Sequence, residues 1–356
     1  MEVVAIIMAG GVGSRFWPRS RQVEPKQLLN LFTNRSMIQN TVDRLNPLVK
    51  NENIYVVTNK LQKDKIVEQL SEVPEENIIV EPFGKNTAAC IGLASILIEE
   101  KYGDAITIIL PADHLINDKE EFLNTLNKAV NYAEQTDALV TIGIHPTRPD
   151  TGYGYIQIDE NNNKDNELHK VIRFAEKPNL ATAERFLESG DFFWNSGMFI
   201  WKASVILKEI KEYMPDLSFG LDEIKTSIGK DDFETILVNV YGQLKSISID
   251  YGIMENSKNV YLIKGKFDWS DVGSWDAVYH ILEKDTNENV EKGAVYLENS
   301  ERTYVHSDKK FTAVIGAKDL IVINTDDATL VCHRDYAQDV KLVVDYLKMN
   351  KKDELL

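Results

Sequence analysis

Cysteine is nearly absent from this chain, with only Cys90 and Cys332 among 356 residues. Each sits in an apolar run, so neither a disulfide framework nor a thiolate metal site is available, and a reducing compartment fits. No run of about 18 apolar residues could span a bilayer. The opening Met1-Glu2-Val3-Val4-Ala5-Ile6-Ile7 lacks the basic region and cleavage site of a secretory signal. A cytoplasmic location is the expectation. Positive charge is scarce too: 40 Lys and Arg against 56 Asp and Glu leave a formal charge of −16. With no basic run, the composition excludes nucleic acid and membrane surfaces as broad partners. It does not exclude a small anion, because salt screens charges beyond about 8 Å and a pocket answers to its own lining.

What is present is an ordinary globular composition, 43% hydrophobic and 27% charged. The length suits two or three domains, or one large α/β domain with an appendage. Val- and Ile-rich runs at 3–8, 54–57, 78–80, 106–110 and 139–144 are hydrophobic on both faces, as central parallel strands are. Between them, 36–45, 61–70, 87–98 and 120–133 read as crossover helices. Such a sheet places its ligand beyond the carboxyl ends of the strands, so residues following Met8, Val80, Leu110 and Ile144 are candidates for a site. From Gly152 the period shortens: 153–158 alternates, Asn161 to Asn166 reads as a polar turn, and 171–174 resumes strand character. Further strands are predicted at 197–201, 247–249 and 260–263, with helices near 181–187 and 204–213, so that a mixed sheet extends the parallel one. Beyond Asp285, runs centred on Tyr296, Tyr304, Val314, Val322 and Leu330 recur every eight to ten residues, the spacing of a small all-β unit. Val340, Val343, Val344 and Leu347 mark a closing helix. The predicted organisation is an α/β domain over 1–285, with helices on both faces of a mostly parallel sheet, and a β-rich domain over 286–356.

The first strand runs into Ala9-Gly10-Gly11-Val12-Gly13-Ser14-Arg15, followed later by Pro25-Lys26-Gln27. Glycines let the backbone approach an anion and turn amides toward it, and Arg15 and Lys26 add side-chain charge, which suits a polyphosphate. A strand-ending turn with solvated basic residues is the plain alternative. Phe16 replaces the third glycine of the dinucleotide fingerprint, and no Gly-Lys-Ser/Thr closes a P-loop. The fourth strand ends in Pro111-Ala112-Asp113-His114, and another acid, Asp271, lies in the segment 267–275. Asp113 and Asp271 would suit Mg²⁺, which takes one or two carboxylates and completes its shell with water and phosphate oxygens. Taken alone, Asp113 reads equally as a helix N-cap or turn residue, and His114 as hydrogen-bonding support. Glu176 and Lys177 offer an acid for sugar hydroxyls and a compact charge for a phosphate, or else form a solvated ion pair. In 193–199 a polar pair and a glycine interrupt aromatics. This is either a bulged strand or Asn195 presenting donor and acceptor to a polyol, with Gly197 giving access. Glu81, Asn86 and Thr87 either cap a helix or edge a nucleobase pocket, where a carboxylate pairs with the adjacent N–H donors of guanine.

Taken together, the glycine loop with Pro25-Lys26-Gln27, Glu81-Pro82, Lys85-Asn86-Thr87-Ala88, Pro111-Ala112-Asp113-His114, Glu176-Lys177-Pro178, Trp194-Asn195-Ser196-Gly197-Met198-Phe199, the segment 249–255 and Trp269-Ser270-Asp271-Val272-Gly273 resemble the mannose-1-phosphate guanylyltransferases among sugar-nucleotide pyrophosphorylases. The resemblance covers about residues 5–275. It implies a Rossmann-like nucleotidyltransferase domain, a truncated left-handed β-helix and a homodimer. It also implies transfer of GMP from GTP to α-D-mannose 1-phosphate with Mg²⁺, giving GDP-mannose and pyrophosphate. By the same likeness Gly10, Gly11, Gly13, Ser14, Arg15 and Lys26 hold the triphosphate, and Glu81, Asn86 and Thr87 hold the nucleoside. Asp113 and Asp271 hold the metal, Lys177 orients the sugar phosphate, and Gly152, Tyr153, Glu176 and Asn195 read the hexose. Asp250 and Glu255 match a motif as structural support. The chain is too short for the fused mannose-6-phosphate isomerase of the longer form, so a single activity is expected. Rival readings are a guanylyltransferase for a manno-configured heptose phosphate, a thymidylyl or uridylyl transferase acting on glucose 1-phosphate, and a catalytically silent sugar-nucleotide-binding regulator. Arg15, Lys26, Asp113 and Asp271 standing together speak against the last.

Overall fold

The computed structural model describes residues 1–164 and 167–356. Strands β1 (Val3–Met8), β2 (Ile54–Asn59), β3 (Ile78–Glu81) and β4 (Ile106–Pro111) pair in parallel in the order β3-β2-β1-β4. Four successive residues of β1, Val4 to Ile7, are fully buried, as a strand covered on both faces must be. Helices α1 (Met37–Leu45), α2 (Lys63–Gln69), α3 (Asn86–Tyr102) and α4 (Lys119–Gln135) supply the cover: α1, α2 and α4 pack on one face and α3 on the other. A capping box opens α1, with Ser36 and Gln39 each accepting from the other's backbone N–H.

After β4 come a two-residue strand β5 (Leu115–Ile116), then β6 (Leu139–Ile144), β7 (Tyr155–Lys164), β8 (Leu168–Ala175), α5 (Leu180–Ser189) and β9 (Phe192–Lys202). β9 inserts antiparallel between β4 and β6, which returns its first residues to the carboxyl ends of the parallel strands. Its register slips against β6, Thr141 facing Phe199 but Gly143 facing Asn195, so 196–198 bulge out of the ladder. Helices α6 (Ala203–Tyr213), α7 (Pro215–Ser227) and α8 (Phe233–Gln243) thicken the α3 face, and β10 (Val260–Gly265) returns parallel to β6. Strand β11 (Trp269–Ser270) pairs with β5, and α9 (Trp275–Ile281) follows.

The β-rich part holds β12 (Val290–Glu298), β13 (Tyr304–Ile315), β14 (Leu320–Asn324), β15 (Thr329–His333) and then α10 (Lys341–Met349). β12, β13 and β14 are parallel neighbours joined by short loops rather than helices, the arrangement of a wound coil. One hydrophobic cluster unites this coil with the segment after the glycine loop: Phe16, Trp17, Leu31 and Met37 meet Trp275, Tyr304, Ile321 and Val344. Trp275 Nε1 donates to the Trp17 carbonyl at 3.1 Å, and Lys292 Nζ to that of Leu31 at 2.9 Å.

Several expectations are corrected. Residues 247–249 form no strand, because their backbone is held by α3: Ala88 N–H donates to the Ile247 carbonyl, and Ile249 N–H to Thr87 Oγ1. A π-helical turn, Asp250–Met254, follows. Tyr304 and Val314 belong to one long strand, not two. The turn expected at Asn161 to Asn166 is strand as far as Lys164, and residues 165–166 lie outside the described residues. β3 is an edge strand rather than a central one. The additional helices α7 and α8 bury Leu217, Leu221, Leu237 and Tyr241 against α3. Among the described residues no helix is long and apolar enough to cross a membrane.

Trp275 is completely buried where coil, α9 and loop meet. Trp275→Ala should cost about 3–5 kcal/mol, measured as a lowered midpoint in urea denaturation, and should lower activity by loosening the segment behind the glycine loop.

Candidate active site

The carboxyl ends of β1, β3 and β4 and the bulge of β9 open on a cleft of about 530 Å³. Gly10, Gly11, Glu81, Asn86 and Thr87 line one part of it, and Gly152, Tyr153, Glu176 and Asn195 another. A smaller depression of about 250 Å³ adjoins it, lined by Gly13, Ser14, Arg15, Lys26, Asp113 and Asp271. Asp271 and His114 border both. Of the site residues named from sequence, only Lys177 lines neither. It sits at φ 45°, its side chain 64% exposed, with Nζ 2.7 Å from Glu176 Oε1. The segment following Ile144 contributes nothing until Gly152.

The glycine loop is fixed from behind. Gly13 has φ +60°, and a Cβ there would stand 2.5 Å from Lys26 Cβ and 2.9 Å from its backbone nitrogen, so only glycine fits. Buried Gln27 donates from Nε2 to the carbonyls of Ala9 (2.7 Å) and Gly11 (3.0 Å), and Ser20 Oγ donates to that of Gly13 (2.7 Å). Drawing these carbonyls inward suits a loop that meets an anion, since an outward carbonyl would repel phosphate oxygens.

Lys26 is only 4% exposed. Its ammonium donates to Asp113 Oδ2 at 2.9 Å and to the main-chain carbonyl of Asp271, leaving one N–H of three. Burial alone would raise the Asp113 pKa, but Lys26 and His114 overbalance it and hold the carboxyl below its usual range. Asp113 therefore stays ionised. It lies in the turn between β4 and β5, and the cap of α4 is Asp118, so the N-cap reading is excluded. Asp271 Oδ1 accepts from the Tyr153 hydroxyl at 2.7 Å. Two carboxylates on one open depression, one of them held ionised, fit a hard divalent cation. Among the described residues no three or more His, Cys, Asp and Glu are placed to hold a metal ion together, so substrate and water oxygens would complete its shell.

Glu81 is buried beneath Gly10. Its Oε1 accepts from the Tyr241 hydroxyl, and its Oε2 lies 3.4 Å from where a Gly10 Cβ would be. Burial raises its pKa to about 7, with the Tyr241 contact opposing. Asn195 departs from expectation. Its Nδ2 donates to Asp250 Oδ1 at 2.7 Å and its Oδ1 accepts from Gly197 N–H at 3.1 Å, so half its hydrogen-bonding capacity is spent inside the protein. Thr87 is likewise engaged through Oγ1, at 2.8 Å from Ile249 N. His114 Nδ1 accepts from Trp269 Nε1 at 3.2 Å, and burial lowers its pKa to about 4 despite Asp113.

Sequence reasoning gave Gln27, Tyr241 and Trp269 no part in the site, and gave Asp250 only structural support, the part its bond to Asn195 plays. Gln27 and Trp269 stand inside the quoted motifs, which was the available signal. Tyr241 lies on α8 and carried none.

Because folding raises the Glu81 pKa from 4.5 to about 7, the folded state favours the protonated form. The stability this contributes is full below about pH 4.5 and is lost as pH rises through about 7. Urea denaturation across that range should show the wild type losing stability relative to Glu81→Gln; a difference independent of pH would refute the shift.

Comparison with known proteins places this geometry. Residues 4–288 match the nucleotidyl transferase family, and 294–347 match the MannoseP isomerase/GMP-like beta-helix domain. A mannose-1-phosphate guanylyltransferase of Salmonella muenchen is 41% identical over 361 residues, and one of Escherichia coli is 38% identical over 356. Each alignment covers 99% of this chain and 75% of the relative. A solved structure from Thermus thermophilus, described as a mannose-1-phosphate geranyltransferase, superposes with a TM-score of 0.88 at 31% identity, covering 98% of this chain and all of that one. The chain belongs to the nucleotidyl transferase family, among its mannose-1-phosphate guanylyltransferases.

Proposed function

We propose that the protein transfers GMP from GTP to α-D-mannose 1-phosphate, releasing pyrophosphate and forming GDP-mannose. The observation that carries this reading is the junction of two unlike compartments. One is a cleft with room for a nucleoside and a hexose. The other is a depression where a glycine loop, two basic side chains and two carboxylates converge.

The physical difficulty is mutual repulsion. Two unit charges 4 Å apart cost about 4 kcal/mol at an effective dielectric of 20, and several such pairs meet when a sugar phosphate approaches a triphosphate. Positioning and charge neutralisation are therefore the main demands, and no protein nucleophile is required. The loop from Gly10 to Ser14 and the exposed Arg15 hold the β- and γ-phosphates. Lys26 turns its remaining N–H to the same anion, and with Arg15 it counters charge growing on departing pyrophosphate. Glu81 reads the guanine edge beside Asn86 and Thr87. Gly152, Tyr153, Glu176 and the unspent half of Asn195 read the hexose, while Lys177 swings from Glu176 to the sugar phosphate. Asp113 and Asp271 would hold Mg²⁺, whose chemistry there is neutralisation of the crowded phosphate oxygens.

Release of pyrophosphate, assayed with four nucleoside triphosphates against mannose, glucose and heptose 1-phosphates, tests the reading. GTP with mannose 1-phosphate should be preferred. Preference for a heptose phosphate would move the sugar assignment, and no release from any pair would return the silent regulator. Asp271→Asn, whose carboxylate contacts only Tyr153 by hydrogen bond among the described residues, should fold normally. It should lose about 100-fold or more in turnover and require more Mg²⁺ for half-maximal rate. Unchanged Mg²⁺ dependence would remove Asp271 from the metal site.

A further inference from the structure

Two residues border both compartments, Asp271 and His114. If nucleoside and sugar occupy the larger and pyrophosphate leaves through the smaller, the phosphoryl group in transit lies where they meet, beside those two side chains. This step rests on the reading above. His114 has no part in that reading.

The hydrogen bonding of His114 determines where its proton sits. Indole Nε1 is a donor only. Trp269 Nε1–H points at His114 Nδ1 at 3.2 Å, so Nδ1 must present its lone pair and the ring's proton must be on Nε2. The arrangement is held on both sides. Trp269 stands edge-on to the imidazole, with ring centres 5.3 Å apart at 87°. The pairing of Trp269 with Ile116 and of Ser270 with Leu115 locks the two segments in register. Arg44 donates to the His114 carbonyl at 3.3 Å, anchoring its backbone. Tyr153 packs against Trp269 from the other direction while its hydroxyl holds Asp271. Among the described residues Nε2 has no hydrogen-bonding partner, an odd state for a donor so carefully fixed at the edge of two pockets.

We propose that His114 is a catalytic hydrogen-bond donor: its Nε2–H contacts a non-bridging oxygen of the transferred guanylyl phosphate, and Trp269 is the positioning residue that fixes this tautomer. In the step itself an anionic oxygen of the sugar phosphate forms a bond to the α-phosphorus as the bond from that phosphorus to the β-bridging oxygen breaks. The electron pair departs with pyrophosphate. The attacking oxygen carries no proton, so no base is needed and His114 keeps its own. A neutral donor adds stabilisation where negative charge spreads over the equatorial oxygens.

The test compares His114→Phe, which keeps ring volume but has no donor, with His114→Gln, which keeps an amide N–H, in the full chain. Loss of a hydrogen bond to a charged group predicts a fall in kcat of about 10–100-fold for His114→Phe, with KM for GTP little changed and most of the rate restored in His114→Gln. Two-bond proton–nitrogen correlation NMR of the ¹⁵N-histidine protein should place the His114 proton on Nε2, and Trp269→Phe should mix the tautomers and lower kcat. His114→Phe with the wild-type kcat, or a proton on Nδ1 in the wild type, would overturn the proposal. If either His114 variant does not fold, the tautomer and the Trp269→Phe rate decide it. Wild-type protein that releases no pyrophosphate from any substrate pair would instead overturn the function reading, not this assignment alone.

Discussion

The buried Lys26 ammonium, shared between the Asp113 carboxylate and the main-chain carbonyl of Asp271, is the contact on which the site depends. An ammonium taken out of water is expensive unless paired and hydrogen-bonded. Three segments far apart in sequence must therefore meet wherever Lys26 is buried. The same contact keeps Asp113 ionised against the cost of its own burial. It also leaves one lysine N–H uncommitted, so a single side chain can organise the acids and still greet an incoming anion.

Around that contact the sheet acts as a frame that is irregular where β9 reaches the cleft. Parallel strands β1, β3 and β4 deliver Gly10, Glu81 and Asp113 to one edge, as their shared direction requires. The antiparallel β9 arrives from the opposite side. With its bulge at 196–198, Asn195, Ser196 and Gly197 all line the cleft, where a regular ladder would have alternated them between faces. The π-helical turn at Asp250–Met254 has a similar effect, carrying Asp250 to Asn195 while Ile253 and Met254 remain in the core. Both irregularities sit at the part of the cleft proposed to receive the sugar, where a hydroxyl-bearing ligand needs many directed hydrogen bonds.

Much of this was legible in the sequence. Strands buried on both faces show as unbroken Val and Ile runs, so β1, β2, β4 and β6 were placed to within a residue or two. The site residues named from sequence line the cleft and the depression, Lys177 apart, and were likewise visible, because glycine runs and acids at strand ends stand out as residue types. What periodicity could not show was packing between remote parts. Residues 247–249 carry strand-like side chains, but their backbone hydrogen bonds go to Thr87 and Ala88. The helix α8 is apolar on several sides and so lacks a clean stripe, and Tyr241 was hidden with it. Asn195 looked like a ligand group in full because its partner Asp250 lies 55 residues away. The coil's strand β13 looked like two, since its middle, from Asp308 to Phe311, is exposed and polar or charged except for Phe311.

The hydrophobic cluster shared by coil, α9 and glycine-loop segment bears on how such chains can be recombined. The seam between the two parts is not a polar linker but a single interior, with Phe16 and Trp17 on one bank and Tyr304 and Ile321 on the other. A chimaera that borrowed its coil from a relative would need the matching bank as well, because any misfit in side-chain volume would fall directly behind the glycine loop. A change of volume on one bank therefore calls for a compensating change on the other, and the two parts answer to one packing constraint.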